Sequence, residues 1–128
     1  LVNTNKEICY LGHKNALKNY LSLEDNILLM DLNKHPELKQ YIELLGFKKL
    51  LDVNVANLSY GQQKKLALLR LFLNESDLIV LDEPFVGLDR ETQEILNNFL
   101  VSQLNKNKAI IYTSHISCPI DSKELLLR

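Results

Sequence analysis

The 128-residue sequence has few cysteines and no long apolar run, and both shortages exclude classes of protein. Its two cysteines, Cys9 and Cys118, are too few for a disulfide framework and indicate a reducing compartment. Its apolar runs, such as residues 66–69, have at most four members, whereas a helix that spans a bilayer needs about 20. These residues therefore predict neither a disulfide-stapled domain nor a membrane-spanning helix.

The sequence also lacks an excess of charge of either sign. It has 15 Lys and Arg residues against 16 Asp and Glu residues, which gives a net charge of −1. This balance argues against a general nucleic-acid or anionic-membrane surface. With 46% apolar and 24% charged residues, the composition is typical of a folded domain. The length fits one domain, for which we expect no nucleic-acid partner.

The apolar pattern predicts four strands of an α/β fold. Residues 8–11 form a short strand pattern, and residues 78–81 and 109–113 are typical of strands buried on both faces. A helical pattern at residues 89–104 separates the last two strands, and residues 124–128 predict a final strand. Because strand, helix and strand alternate, we expect an α/β fold with right-handed crossovers.

Three helices are predicted between the first and second strands. Ser22 and Ser59 each have the spacing of a capping box, so they begin the first and third helices. Pro36 stands at the first position predicted for the second helix. The expected division of the chain is a helical segment at about 14–72, inserted into an α/β core at 1–13 and 73–128.

Two adjacent carboxylates, Asp82 and Glu83, follow the second strand. Ligands of open α/β sheets bind at this edge, and adjacent carboxylates there are costly unless their charge is used. One can hold Mg²⁺ through water, while its neighbour orients or deprotonates an attacking water. By themselves, the two residues are explained equally well as a solvated pair of acids.

Two further features have both a functional and a simpler interpretation. His115 lies two residues beyond the strand at 109–113, where it can contact a phosphoryl group, although a lone histidine there is more often a surface residue. Gly61 permits close approach of a ligand to the start of the third helix, whose amide groups and dipole favour a phosphate. A capped helix start is the simpler explanation of that local pattern.

Four segments together resemble the motifs of ATP-binding cassette (ABC) ATPases. They are LSYGQQKK at 58–65 (signature motif), LIVLDEP at 78–84 (Walker B), GLD at 87–89 (D-loop) and TSH at 113–115 (switch histidine). Gly61 precedes Asp82 by 21 residues, and Glu83 precedes His115 by 32, as in this family. The resemblance covers essentially the whole chain and implies a partial P-loop NTPase fold of the ABC ATPase type, in which a parallel sheet core carries an inserted helical subdomain.

The resemblance implies roles for the residues at the sheet edge. Asp82 would hold Mg²⁺, Glu83 would act as general base or orient water, and His115 would contact the γ-phosphate of ATP. His13 stands at the Q-loop position, where most members of the family have glutamine. This departure puts direct coordination of Mg²⁺ by a Q-loop glutamine in doubt.

The signature motif implies a second ATPase domain as partner. Ser59, Gly61 and Gln62 would close on the ATP held by that domain, in a head-to-tail dimer over two ATP molecules. Asp89 would link the two sites. Tyr60 replaces the small residue that is common at the centre of the motif, which leaves Ser59 and Gly61 intact.

A finer resemblance is to the heme exporter ATPases, the ATP-binding subunits of the cytochrome c maturation system. It rests on five segments: YLGH at 10–13, LK at 17–18, LSLEDNI at 21–27, RLFL at 70–73 and DEPF at 82–85. It implies a peripheral ATPase subunit at the cytoplasmic face of the inner membrane, bacterial or the mitochondrial equivalent. Integral membrane subunits would contact the helical segment.

Other functions remain open at this point. The chain can belong to another ABC exporter, or it can be a truncated, non-catalytic interaction module, against which the intact Asp82, Glu83 and His115 weigh. A chromosome-maintenance ATPase would carry a long coiled coil between the Q-loop and the signature motif. Only 46 residues separate His13 from Ser59, which argues against that class.

A Walker A loop, which binds phosphate in this family, needs the pattern Gly-x-x-x-x-Gly-Lys followed by Ser or Thr. The sequence has no Gly-Lys dipeptide, and no two of its four glycines are five residues apart. In the family the loop precedes the Q-loop, so we expect it upstream of Leu1. Residues 1–128 are accordingly expected to be the C-terminal part of one ABC ATPase domain.

By themselves, residues 1–128 are therefore not expected to bind or hydrolyse ATP. Charge-assisted contacts to phosphate contribute ~1.5–3 kcal/mol each, and losing roughly three of them exceeds the ~4 kcal/mol that correspond to a Kd of ~1 mM. The sheet would also lack the strand that carries the loop, which favours low stability or association. Calorimetry with Mg-ATP tests this expectation, and a Kd tighter than ~100 µM would contradict it.

Overall fold

Three parallel strands form the sheet of the computed structural model, which describes residues 8–12 and 16–113. They are β1 (Ile8–Leu11), β2 (Leu78–Asp82) and β3 (Ala109–Thr113), in the order β1-β2-β3. β2 is central and pairs in parallel with both neighbours. The predicted α/β class and the three strand positions are confirmed, whereas the strand predicted at 124–128 lies outside the described residues.

The helices of the described chain follow the predicted order. They are α1 (Leu23–Leu29), α2 (Leu38–Leu44), a 3₁₀ turn (Val55–Asn57), α3 (Tyr60–Phe72) and α4 (Arg90–Asn105). As predicted, Ser22 caps α1, because its hydroxyl accepts a hydrogen bond from the amide of Asp25 at 3.0 Å. The predicted start of α2 was wrong by two residues. Pro36 lies in a turn closed by the hydrogen bond from the Leu38 amide to the His35 carbonyl, so the helix begins only at Leu38.

One face of the sheet packs against the helices. Cys9 and Leu11 of β1 and Ile79 and Leu81 of β2 are buried on this face. α3 contacts β1 and α4 contacts β3, and apolar residues of both helices belong to the same core cluster as the sheet. α3 was predicted within the helical segment, yet it also packs on the sheet and therefore connects the two parts.

Phe72, at the end of α3, connects three helices through its ring. It stacks on Tyr41 of α2 at a centroid distance of 5.0 Å. It also meets Phe99 of α4 edge to face at 5.1 Å. Aromatic pairs of this geometry contribute about 0.5–1.5 kcal/mol beyond the area that they bury, so this ring fixes α2 and α4 relative to α3.

The opposite face of the sheet is open to solvent. Ile8 is 64% exposed, Tyr10 60% and Ile111 42%, and the strand register places the last two side by side with Val80. β3 alternates exposed and half-buried residues, and β2 alternates half-buried and buried residues. The prediction that these two strands are buried on both faces was therefore wrong. The physical reason is that both crossover helices lie on the other face, which leaves apolar side chains of this face uncovered.

Candidate functional site

The carboxyl edge of the sheet brings Asp82, Glu83 and Thr113 together. Asp82 ends β2 and pairs in register with Thr113, which ends β3. The Thr113 hydroxyl donates to Asp82 Oδ1 at 2.6 Å, and the Glu83 amide donates to the Thr113 carbonyl at 3.0 Å. Two residues that the sequence predicted as a chemical pair are therefore fixed by the neighbouring strand.

Glu83 has an unusual backbone conformation. Its φ of +47° lies in the left-handed region, which residues other than glycine rarely adopt and which costs of order 1–3 kcal/mol. Its carbonyl accepts a hydrogen bond from Lys64 Nζ at 3.0 Å. Strained residues of this kind concentrate at functional sites, where the surrounding structure holds them in place.

Lys64 is almost completely buried, with 5% of its surface exposed. Burial lowers the pKa of Lys64, and the negative charges of Glu83 and Asp82 act in the opposite direction. A buried ammonium group is costly unless it is hydrogen-bonded and paired with opposite charge. The Glu83 carbonyl and the two carboxylates supply that environment.

The start of α3 has the predicted capping box. The Ser59 hydroxyl accepts a hydrogen bond from the Gln62 amide at 3.1 Å. In return, Gln62 Oε1 accepts one from the Ser59 amide at 2.9 Å. Gln63 connects this helix to the preceding 3₁₀ turn, because its Nε2 donates to the Val55 carbonyl at 2.8 Å. Two residues predicted to bind nucleotide thus also fix the first turn of the helix.

The turn at residues 87–89 packs directly on this first turn of α3. Gly87 has φ +79°, and a Cβ atom there would lie only 2.5 Å from Cε1 of Tyr60. A Cβ atom on Gly61 would lie 3.3 Å from the Gly87 carbonyl oxygen. The two predicted motifs, far apart in sequence, are therefore neighbours in the fold.

Asp89 also connects the turn at residues 87–89 with α3. It caps α4, where its Oδ1 accepts a hydrogen bond from the Thr92 amide at 2.9 Å, and its Oδ2 lies 3.4 Å from Lys65 Nζ. Hydrogen bonds from Thr92 and the charge of Lys65 lower the pKa of Asp89. Asp89 is exposed, so its ion pair with Lys65 adds little to stability in water.

The donor set at the sheet edge fits Mg²⁺ better than a metal held by protein alone. In residues 8–12 and 16–113, no cluster of three or more His, Cys, Asp or Glu could hold a metal ion. Mg²⁺ usually keeps several waters and takes one or two carboxylates together with substrate phosphates. Asp82 provides a half-buried carboxylate whose orientation the Thr113 hydroxyl fixes, which suits this mode of binding.

The predicted site residues thus fall into two described groups and two undescribed positions. Asp82 and Glu83 form the first group, and the second consists of Ser59, Gly61, Gln62 and Asp89. His13 and His115 lie outside the described residues. Lys64, which connects α3 to Glu83, was missed. Its spacing from Leu68 and Leu71, which are buried on the same helix, was the signal that could have found it.

Comparison with known proteins identifies the family of the chain and curated relatives that share one name. The ABC transporter family matches residues 1–86. The cytochrome c biogenesis ATP-binding export protein CcmA of Gluconobacter oxydans is 34% identical over 116 residues, which cover 91% of this chain and 55% of that protein. CcmA of Rickettsia felis is 32% identical over 127 residues, which cover 97% of this chain and 65% of that protein. The chain therefore spans between 55% and 65% of the length of these two curated relatives.

Solved structures have the same fold. An ATP-binding subunit of an ABC transporter superposes with a TM-score of 0.71 at 25% identity, covering 85% of this chain and 48% of that one. The ATP-binding cassette MJ0796, a dimer in a post-hydrolysis state with ADP and Pi, superposes with a TM-score of 0.68 at 19% identity. This second match covers 87% of this chain and 53% of the other.

We predict that Gly87→Ala destabilises the chain more than Gly46→Ala does. Both glycines have nearly the same positive φ, +79° and +76°, but a Cβ atom on Gly46 would meet nothing within 4 Å. The difference in the free energy of unfolding, measured with urea, therefore isolates the contact with Tyr60. In a Tyr60→Ala background, Gly87→Ala should cost about as much as Gly46→Ala, because contacting residues are coupled in a double-mutant cycle. Equal effects of Gly87→Ala in both backgrounds would contradict the contact.

Proposed function

The chain belongs to the ABC transporter family, as its motifs predicted, and on this premise we propose that it is part of the ATP-hydrolysing subunit of an exporter for c-type cytochrome biogenesis. The ATPase activity is supported above all by the adjacent carboxylates Asp82 and Glu83 at the sheet edge, both held by Thr113. The exporter is supported by relatives named as cytochrome c biogenesis ATP-binding export proteins, at 34% and 32% identity.

The proposed chemistry divides between the two carboxylates. Asp82 would hold Mg²⁺, which when bound offsets the negative charge of the phosphates. Glu83 would accept a proton from the attacking water, or orient that water for attack. Hydrogen bonding of Asp82 Oδ1 to Thr113 fixes the first carboxylate, so the two can keep separate roles. His115 would contact the γ-phosphate, and His13 would stand at the Q-loop position.

The signature motif would act on ATP held by a second ATPase domain. The amino end of α3 carries a positive dipole, which favours an incoming phosphate, and Ser59, Gly61 and Gln62 lie there. Asp89, the cap of α4, is ion-paired with Lys65 of α3 and would link the two nucleotide sites. Dimerisation is supported by the solved cassette that is a dimer with ADP and Pi, and the head-to-tail arrangement of the two domains is part of the proposal.

Integral membrane subunits are the second proposed partner. No helix in the described part of the chain is long and apolar enough to cross a membrane. The first two helices carry large apolar side chains that are exposed, namely Leu28 and Leu29 of α1 and Leu44 of α2. Exposed apolar surface marks protein contacts, so we propose that these helices contact membrane subunits at the cytoplasmic face of the inner membrane. The helical segment, at about 14–72, would supply this contact.

The substitution Glu83→Gln tests the catalytic proposal in a protein that carries residues 1–128 together with a Walker A loop. We expect kcat to fall by about 10²–10⁴, because the amide cannot act as a general base. ATP affinity should change little, since the side chain keeps its shape. Glu94→Gln, which removes an exposed carboxylate on α4, is the control and should leave turnover unchanged. A kcat within about threefold of wild type for Glu83→Gln would exclude Glu83 as the base.

The same variant, expressed in the cell, separates the proposed exporter from another ABC exporter. If the subunit serves cytochrome maturation, cells that carry only Glu83→Gln should fail to accumulate c-type cytochromes with covalently attached heme. If ATP hydrolysis is lost while the levels of c-type cytochromes stay normal, the proposed role in cytochrome maturation is contradicted and a different exporter is favoured.

A second test distinguishes the signature motif from an ordinary helix cap. Gly61→Asp introduces a carboxylate where the partner's γ-phosphate is expected, and like charges repel. Nucleotide binding at the variant's own Walker A site should persist, while dimer closure and hydrolysis with ATP fail. Ser59→Ala should lower the free energy of unfolding by ~1 kcal/mol through loss of the cap. If turnover survives in both variants, the motif acts only as a cap.

A further inference from the structure

The proposed chemistry gives Lys64 no role, yet the ammonium group of Lys64 contacts Glu83, the proposed base. Lys64 belongs to the second turn of α3, is 5% exposed, and donates from Nζ to the carbonyl oxygen of Glu83 at 3.0 Å. Nineteen residues of sequence separate the two groups. The contact is therefore tertiary and depends on how α3 lies on the sheet.

Burying a lysine at this position costs free energy that an apolar residue would not cost. Its ammonium group loses hydration on burial, and its long side chain loses as much as about 2 kcal/mol of rotamer freedom. Lysines on helices usually extend so that the charged end reaches water, but Lys64 does not. Apolar side chains such as Leu68 and Leu71 bury the same helix without this cost. The chemical group that distinguishes Lys64 from them is the donor that contacts Glu83.

Glu83 needs restraint on both sides of its Cα atom. Its φ of +47° is unfavourable for a residue with a side chain, so an unrestrained backbone would relax. The amide before the Cα atom donates to the Thr113 carbonyl at 3.0 Å. The carbonyl after it accepts from Lys64 Nζ at 3.0 Å and, over a longer distance of 3.3 Å, from the Val86 amide. With both peptide groups fixed, the direction of the Cα–Cβ bond is fixed as well.

We propose that Lys64 is a positioning residue for ATP hydrolysis, which holds the backbone of Glu83 so that its carboxylate keeps the orientation needed to act on water. The inference rests on the proposed function, in which Glu83 is the base. General-base catalysis depends on geometry, and a displacement of about 1 Å can lower a rate by 10²-fold. In this role Lys64 acts through the backbone of Glu83, and the proposal assigns it no contact with the substrate.

Three variants of a protein that carries residues 1–128 with a Walker A loop test this role. Lys64→Met has similar length and no donor, and we expect kcat to fall roughly 10- to 100-fold with KM for ATP within about twofold. Lys64→Arg keeps a donor and should restore most of kcat. Lys108→Met removes a lysine that is paired with Asp77 at the other end of the strands, and should leave kcat unchanged.

Several outcomes would overturn the role of Lys64. Wild-type kcat in Lys64→Met, a rise in KM without a fall in kcat, or an equal loss in Lys64→Arg would each do so. If the wild-type protein hydrolyses no ATP, the proposed function fails and the role falls with it. Wild-type hydrolysis that Lys64→Met leaves intact overturns the role of Lys64 alone.

A measurement on the wild-type protein covers the case in which Lys64→Met does not fold. Nuclear magnetic resonance should detect a coupling across the hydrogen bond between Lys64 Nζ and the Glu83 carbonyl carbon. A missing coupling, with a rapidly exchanging Lys64 ammonium group, would overturn the proposal whatever the variants do.

Discussion

The candidate site depends on the pairing of β2 with strands on both of its sides. Because the pairing is parallel, all three strands end at one edge, and the register sets Asp82 beside Thr113. A slip of one residue would turn every side chain of β2 to the other face of the sheet. It would bury Leu78 and Val80 in place of Ile79 and Leu81 and remove the carboxylate from the threonine hydroxyl. Core packing thus fixes the register, and the register fixes the chemistry.

Features encoded by neighbouring residues could be predicted from the sequence. β1 was expected at residues 8–11 and occupies them, and Ser22 and Ser59 cap the helices that they were expected to cap. Each depends on side chains within three or four positions of one another. The exposure of β3 could not be predicted in this way, because it depends on which elements pack against each face of the sheet.

The support of Glu83 was missed for a similar reason. The sequence marked Glu83 as a candidate base, but neither its φ of +47° nor its hydrogen bonds follow from its neighbours in the chain. Lys64 and Thr113 are 19 and 30 residues away, and no residue near Glu83 in the sequence points to either of them. A strained residue needs partners from elsewhere in the fold, so the residues that hold it are the hardest to find by reading along the chain.

α3 unites the two parts of the candidate site because residues of both parts belong to this one continuous helix of 13 residues. Its first turn carries Ser59, and its second turn carries Lys64, which holds Glu83. The capping role of Ser59 does not compete with a role in nucleotide binding, since the cap uses only an oxygen lone pair and a hydroxyl keeps its proton for donation. A phosphate oxygen can accept a hydrogen bond from the Ser59 hydroxyl while the same hydroxyl oxygen still accepts one from the Gln62 amide. A force that a partner domain exerts on the first turn of α3 would therefore reach the backbone of Glu83 by two routes. One is buried Lys64, and the other is the loop from Val86 to Gly87, in which Gly87 packs on that turn and the Val86 amide donates to the Glu83 carbonyl at 3.3 Å.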